Sequence, residues 1–209
     1  MKSATSIQIS TFGGLVGLIG IEHGLGEILQ GNQVPDGLLF PSWPGSPFFR
    51  VLGGEPALTI IPNLLITGIL ATLVSLIYLV WAILFVQRKH GGLVLIMLTI
   101  PMLLVGGGIF PPLLGFLIGV AATRIHTPLA WWRNTLSIGA GHFLGMLWPW
   151  FFGACLLAWL SMFPGVPVLS YYFGVENTNL IFILLGCMFG FLLLASISAF
   201  ARDSQRQVG

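Results

Sequence analysis

Three ionisable side chains stand in a stretch otherwise fit for lipid. The run 13–30 is apolar and rich in glycine, yet it carries Glu22, His23 and Glu27. An ionisable group at membrane depth costs about 2.5–3.5 kcal/mol on insertion scales, so such groups face a bundle interior or a wet cavity and mark a place of use. His23 and Glu27 are four residues apart and share one face of a helix. Glu22 is expected to project to the other side and meet a different element. Two further polar groups are expected at the same level: Glu55, in Gly53-Gly54-Glu55-Pro56, and Asn63, just after Pro62.

Several chemistries suit Glu22, His23, Glu27, Glu55 and Asn63 together. Neutral imidazole and carboxylate are ordinary ligands of a divalent metal, with His23, Glu27 and Glu55 as the candidate set. The same groups can pass protons, because imidazole titrates near neutral pH. A cavity with a glycine-rich floor can admit a small solute or ion. No complete catalytic motif is present. His23 and Glu27 are not His-Glu-x-x-His, and Ser137-Ile138-Gly139-Ala140-Gly141-His142 lacks the Gly-x-Ser-x-Gly context of a hydrolase nucleophile. His142 reads as a structural histidine, and His90 and His126 as solvated loop residues.

The elements that must position these groups are helices in lipid. Charged residues make up 7% of the 209 residues and hydrophobic ones 56%, where a soluble domain carries about 25% charged residues. The basic residues are scattered, which excludes a nucleic-acid surface. Cys155 and Cys187 lie in apolar runs, form no CxxC pair and read as small hydrophobes. The early apolar run has no small-residue cleavage site and is read as a retained first span.

Hydropathy and punctuation divide the chain into an all-α, single-domain (1–209) integral membrane protein of six apolar segments. The first covers 11–30. A Gly/Pro-rich loop, 31–56, follows, and its Leu38-Leu39-Phe40, Trp43 and Phe48-Phe49 lay it on the membrane surface. The second segment covers 57–87. The stretch 91–123 is long for one span and short for two. Its Gly106-Gly107-Gly108-Ile109-Phe110-Pro111-Pro112 cannot hold a straight helix, so it is read as a short hairpin of the third and fourth segments. The fifth covers 135–163, with Pro149 as a kink. A turn-rich loop covers 164–178, the sixth segment 179–201, and 202–209 is a loose polar tail.

Charge sets the expected topology. If 91–123 enters and returns, Lys2, Arg88, Lys89, Arg124, Arg133, Arg202 and Arg206 share one face and only Arg50 lies on the other. The positive-inside rule then places both termini in the cytoplasm of a multi-pass cell-membrane protein. The glycines Gly13, Gly17, Gly20 and Gly24 form a stripe that lets another helix approach closely, within the chain, from a second copy or from a membrane-complex partner. Three functions fit: binding or movement of a small solute or ion, proton-coupled, through an outer-half polar cavity; a metal-dependent membrane enzyme acting on a lipid-like substrate; and a structural or assembly subunit of a larger complex. The lipid bilayer is the one partner common to all three.

Overall fold

The structure, a computed structural model, describes residues 3–127, 129, 132 and 135–206. The expectations for Lys2, Arg133 and the last residues of the tail lie outside them. Four helices are long and apolar enough to cross a membrane. They are α1 (Ala4–Gln30), α2 (Leu64–Val80, continued by a wide turn over Trp81–Phe85), α5 (Ile138–Leu160) with its continuation, and α7 (Thr178–Arg206). Two shorter apolar helices, α3 (Gly91–Leu104) and α4 (Phe110–Ala122), lie side by side. At 1.5 Å per residue each is roughly 20 Å long, short of a ~30 Å hydrocarbon core. The whole is compatible with an all-helical integral membrane protein.

The α3–α4 hairpin enters at the end of α2 and turns back at 105–109. At its base Gly92 abuts Ala122 and Thr123, so closely that a Cβ on it would lie 2.6 Å from the Ala122 carbonyl carbon. Its tip is fastened to the first loop, where the Ile60 N–H donates to the Leu104 carbonyl at 3.1 Å and Thr59 bridges Val105. Irregular backbone among apolar helices survives where protein satisfies its polar groups.

The glycine stripe of α1 is filled within the chain. A Cβ on Gly17 would lie 2.9 Å from the Leu79 backbone, and one on Gly24 2.8 Å from the Gly68 carbonyl oxygen; Gly13 faces Ala82, and Gly20 faces Ser75 and Met102. The close approach of α1 and α2 is therefore what these glycines provide, and the stripe is no free surface for a second copy. Below it, Phe12, Val16, Tyr78, Leu114, Trp159 and Leu192 close a core shared by α1, α2, α4, α5 and α7. Tyr78 donates its hydroxyl to the Gly115 carbonyl at 3.0 Å, which ties α2 to α4.

Several expected boundaries move, each for a local reason. The second span begins at Leu64 and not at residue 57, because Asn63 caps it and Pro56 and Pro62 stand before the cap. Residues Pro56–Leu58 instead form strand β2, paired antiparallel with β1 (Leu39–Pro41) in register Leu39 to Leu58. The fold thus carries one two-stranded sheet among its helices. The stretch 164–178, expected as a loop, contains helix α6 (Val166–Phe173). Its Pro167 occupies the first turn, where a missing N–H is harmless, and Gly174 ends it in a left-handed conformation. Between α5 and α6 the helix is broken at Phe163, whose extended backbone (φ −140°, ψ 120°) is the conformation favoured before Pro164.

The segment 202–206, expected to be loose, continues α7. Asp203 is buried, and its carboxylate accepts from the N–H groups of Ala4 (2.8 Å) and Thr5 (2.9 Å), the first turn of α1. Close by, the Gln8 side-chain amide lies 2.7 Å from Ser196 Oγ. A carboxylate on the free N–H groups of a helix start offsets both their lost hydration and the helix dipole. Asp203→Ala is expected to lower stability by about 1–3 kcal/mol, as loss of charged hydrogen bonds does. The check is the unfolding midpoint of purified protein in detergent.

Candidate functional site

His23 sits at the centre of the expected cluster, 2% exposed. Its Nδ1 lies 3.0 Å from the Ile19 carbonyl oxygen, one turn earlier on α1. A carbonyl oxygen only accepts, so Nδ1 carries a hydrogen, and the ring's second nitrogen is the chemically free one. Glu22 Oε2 lies 3.1 Å from the same Nδ1, off the line a hydrogen bond requires, and neither Glu22 oxygen has a hydrogen-bond partner among the described residues. The Glu22 side chain folds back toward its neighbour's ring, and its charge is also felt by Glu55 of the first loop.

The free nitrogen, Nε2, faces Glu55 Oε2 at 3.5 Å. Glu55 is delivered by the first loop. The β1–β2 ladder runs on past its strands, with Ser42 N–H donating to the Glu55 carbonyl and Trp43 N–H to the Gly54 carbonyl, both at 2.9 Å. Glu55 itself is held at φ +58°, a left-handed conformation that non-glycine residues avoid. Removal from water pushes its carboxyl up to about 7; the His23 charge opposes that rise and the Glu22 charge adds to it.

Glu27 is fully buried, and its hydrogen bond comes from the first loop. Its Oε1 accepts from Ser42 Oγ at 3.2 Å, while its Oε2 has no hydrogen-bond partner among the described residues. Ser42 is positioned in turn by Gln30, whose Nε2 donates to the Ser42 carbonyl at 2.8 Å.

The hairpin tip seals both groups. Gly106 (φ +93°) lies against the Glu27 carboxylate so closely that a Cβ would overlap both of its oxygens. Gly108 (φ +81°) lies against the His23 ring, where a Cβ would stand 2.7 Å from Nε2. Positive φ and absence of space each demand glycine here.

Beside the His23–Glu55 pair lies a cavity of about 50 Å³, room for a few waters or one small ion. Among the described residues, His23 and Glu55 are its only ionisable lining residues. Its other walls come from three directions: Leu52 and Pro56 of the loop, Phe110 and Leu114 of α4, and Trp159, Phe163 and Met188 from the α5–α7 side. The break at Phe163 is what turns that ring inward, stacked on Phe49 with centroids 6.1 Å apart.

Of the residues singled out from sequence, Glu22, His23 and Glu55 come together, and Glu27, one turn along α1 from His23, is bonded to Ser42 and packed against Gly106. Asn63 does not join them. Its side chain accepts from the Ile66 N–H at 3.0 Å and donates to Asn32, so it serves as a helix cap. Among the described residues no three His, Cys, Asp or Glu side chains converge so as to hold a metal ion; Glu27 is bonded to Ser42. His142 is exposed near Arg202 and is not a buried structural group. Sequence reasoning missed Ser42 and the wall formed by Trp159 and Phe163. Pro41-Ser42-Trp43-Pro44 hinted at a structured loop, but nothing in it pointed to Glu27.

Comparison with protein-family models, with curated proteins and with solved structures gives no match.

Proposed function

We propose that the protein binds a small cation at the His23–Glu55 pair and exchanges it for a proton, as a small proton-coupled ion- or solute-handling membrane protein. The observation that carries this reading is the approach of His23 Nε2 to Glu55 at 3.5 Å on the wall of the cavity. With Nδ1–H committed to Ile19, Nε2 is the ring atom turned to Glu55. When the ring carries its second proton, that proton sits between Nε2 and the carboxylate; when the proton leaves, the two are acceptors face to face, and a cation takes the proton's place. The surroundings favour positive charge: Glu22, Glu27 and Glu55 against one imidazole, no Lys or Arg lining the cavity, and the rings of Phe110, Trp159 and Phe163 around it. On the charge asymmetry of the chain, both termini are cytoplasmic, α3 and α4 re-enter from that side, and the cavity belongs to the outer half.

The pH dependence has a definite sign. Glu55 ionises above about 7, so cation binding strengthens as pH rises from 6 to 8 and the departing proton is the exchanged partner. The titratable groups facing Glu55 are Glu22 and His23, both from α1; those that α4, α5 and α7 turn into the cavity are apolar. For folding the sign is opposite: the folded state holds this proton more tightly than the unfolded chain, so the group's contribution is full below about 4.5 and lost through about 7. The test is proteoliposomes loaded with a pH-sensitive dye and challenged with gradients of sodium, potassium or methylammonium. Wild type is expected to couple a cation gradient to proton movement. His23→Ala, still folded, should lose about 10–100-fold, the range for deleting a charged hydrogen-bond partner. Unchanged flux in that variant would end this reading.

A further inference from the structure

The opposite end of the bundle holds a second, chemically different site. Where α2 ends and α3 begins, a cleft of about 420 Å³ opens between the turn 87–92 and the segment after α4. Arg88, Lys89, His90 and His126 line it, together with the hydroxyl-bearing Thr123 and Thr127, and no Asp or Glu does. Arg88 and Lys89 have no carboxylate partner among the described residues, whose ion pairs involve only His23 and Arg50. The cleft is built and not merely open: His126 Nε2 donates to the Gln87 carbonyl at 2.6 Å, fastening one wall to the other, and the Arg88 guanidinium lies 5.5 Å from the centre of the Phe85 ring. Trp81 Nε1 donates to the Gly91 carbonyl at 3.2 Å and fixes the floor.

Two cations without counter-charge, one of them held against the Phe85 ring, call for an anion, and the adjoining surface says which kind. Leu93 lines the cleft and begins an exposed apolar row with Met97 and Ile100, one above the next along α3. A free anion has no use for such a row, whereas an acyl chain does. We propose that this cleft seats the phosphate of an anionic phospholipid, with a chain lying along Leu93, Met97 and Ile100. Basic pockets between helices at a membrane boundary hold headgroups in this way.

The test uses the full chain in detergent, given equal amounts of phosphatidylglycerol and phosphatidylcholine, with bound lipid counted by native mass spectrometry. Wild type should prefer the anionic lipid by about 30-fold, the factor two basic side chains near an anionic surface supply. Arg88→Gln with Lys89→Gln should bring the ratio near one, while Arg202→Gln, stacked on Trp148 at the same end of the bundle, should leave it unchanged. Both altered side chains are exposed, and a retained elution volume confirms the fold. Equal binding of the two lipids by wild type, or a preference that survives the double substitution, overturns the proposal. So does loss of the bound lipid on adding millimolar inorganic phosphate, which would make the occupant a soluble anion.

Discussion

Gly108→Ala is expected to destabilise the protein by about 2–5 kcal/mol and to abolish cation exchange, the sum of a left-handed alanine and an overpacked contact. At φ +81° an alanine bears the steric penalty that glycine escapes. Its Cβ would also stand 2.7, 2.9 and 3.0 Å from three atoms of the His23 ring. The ring cannot slide away, because Nδ1 is held by Ile19 and the Nε2 edge faces Glu55. The tip must therefore lift or the ring must rotate, and either movement separates Nε2 from Glu55. Gly153→Ala is the control: that glycine lies within α5 with open space where its Cβ would be, and the change should be neutral or stabilising by up to about 1 kcal/mol. Thermal unfolding of the two variants side by side reads the contrast. Equal stability would mean that the tip does not press on the site.

Glu55→Gly should do the reverse, removing function while sparing or improving stability. Glu55 occupies a left-handed conformation at φ +58° with its carboxyl taken out of water. Glycine relieves the backbone penalty of about 1–2 kcal/mol and removes the buried acid as well. A residue kept in spite of both costs is kept for what its carboxylate does. Cation exchange should fall by about 100-fold in Glu55→Gly, as when a charged partner is deleted, with the unfolding midpoint unchanged or raised. Glu55→Gln separates charge from shape, because it keeps a side chain of the same size but cannot ionise. Its activity should be equally low and no longer rise between pH 6 and 8. A Glu55→Gly protein that unfolds more easily and still transports would show that the conformation serves the fold alone.

The helix face carrying His23 and Glu27, the glycine stripe beside it and the broken hairpin were all readable from the residues. Each rests on local rules: helix periodicity, the small size of glycine, and the inability of Gly106-Gly107-Gly108 and Pro111-Pro112 to continue a helix. What was hidden depends on contacts distant in sequence. The pairing of β1 with β2 fixes Glu55 and Ser42 in place, yet strands of three residues leave almost no periodic signal. The break at Phe163 falls at the expected end of the fifth segment, but a boundary does not say which way its last ring turns. Asn63 was misjudged because a polar residue at a span's edge is as readily a cap as a ligand, and only the Ile66 N–H decides between them. The return of Glu22 over the His23 ring was hidden because helix position fixes where a Cβ points and not where a long, flexible side chain ends. The docked Asp203 belongs to the same class, since a polar terminal segment carries no mark of a partner almost the whole chain away.

The most direct test of the central claim is calorimetric titration of the full chain in nanodiscs with methylammonium at pH 6 and pH 8, wild type beside Glu55→Gln. The account predicts saturable binding that strengthens from pH 6 to pH 8 and releases a proton, seen as heat that varies with the ionisation enthalpy of the buffer, and no such binding in Glu55→Gln. Binding that is identical in the two proteins, or independent of pH with no proton released, would contradict it.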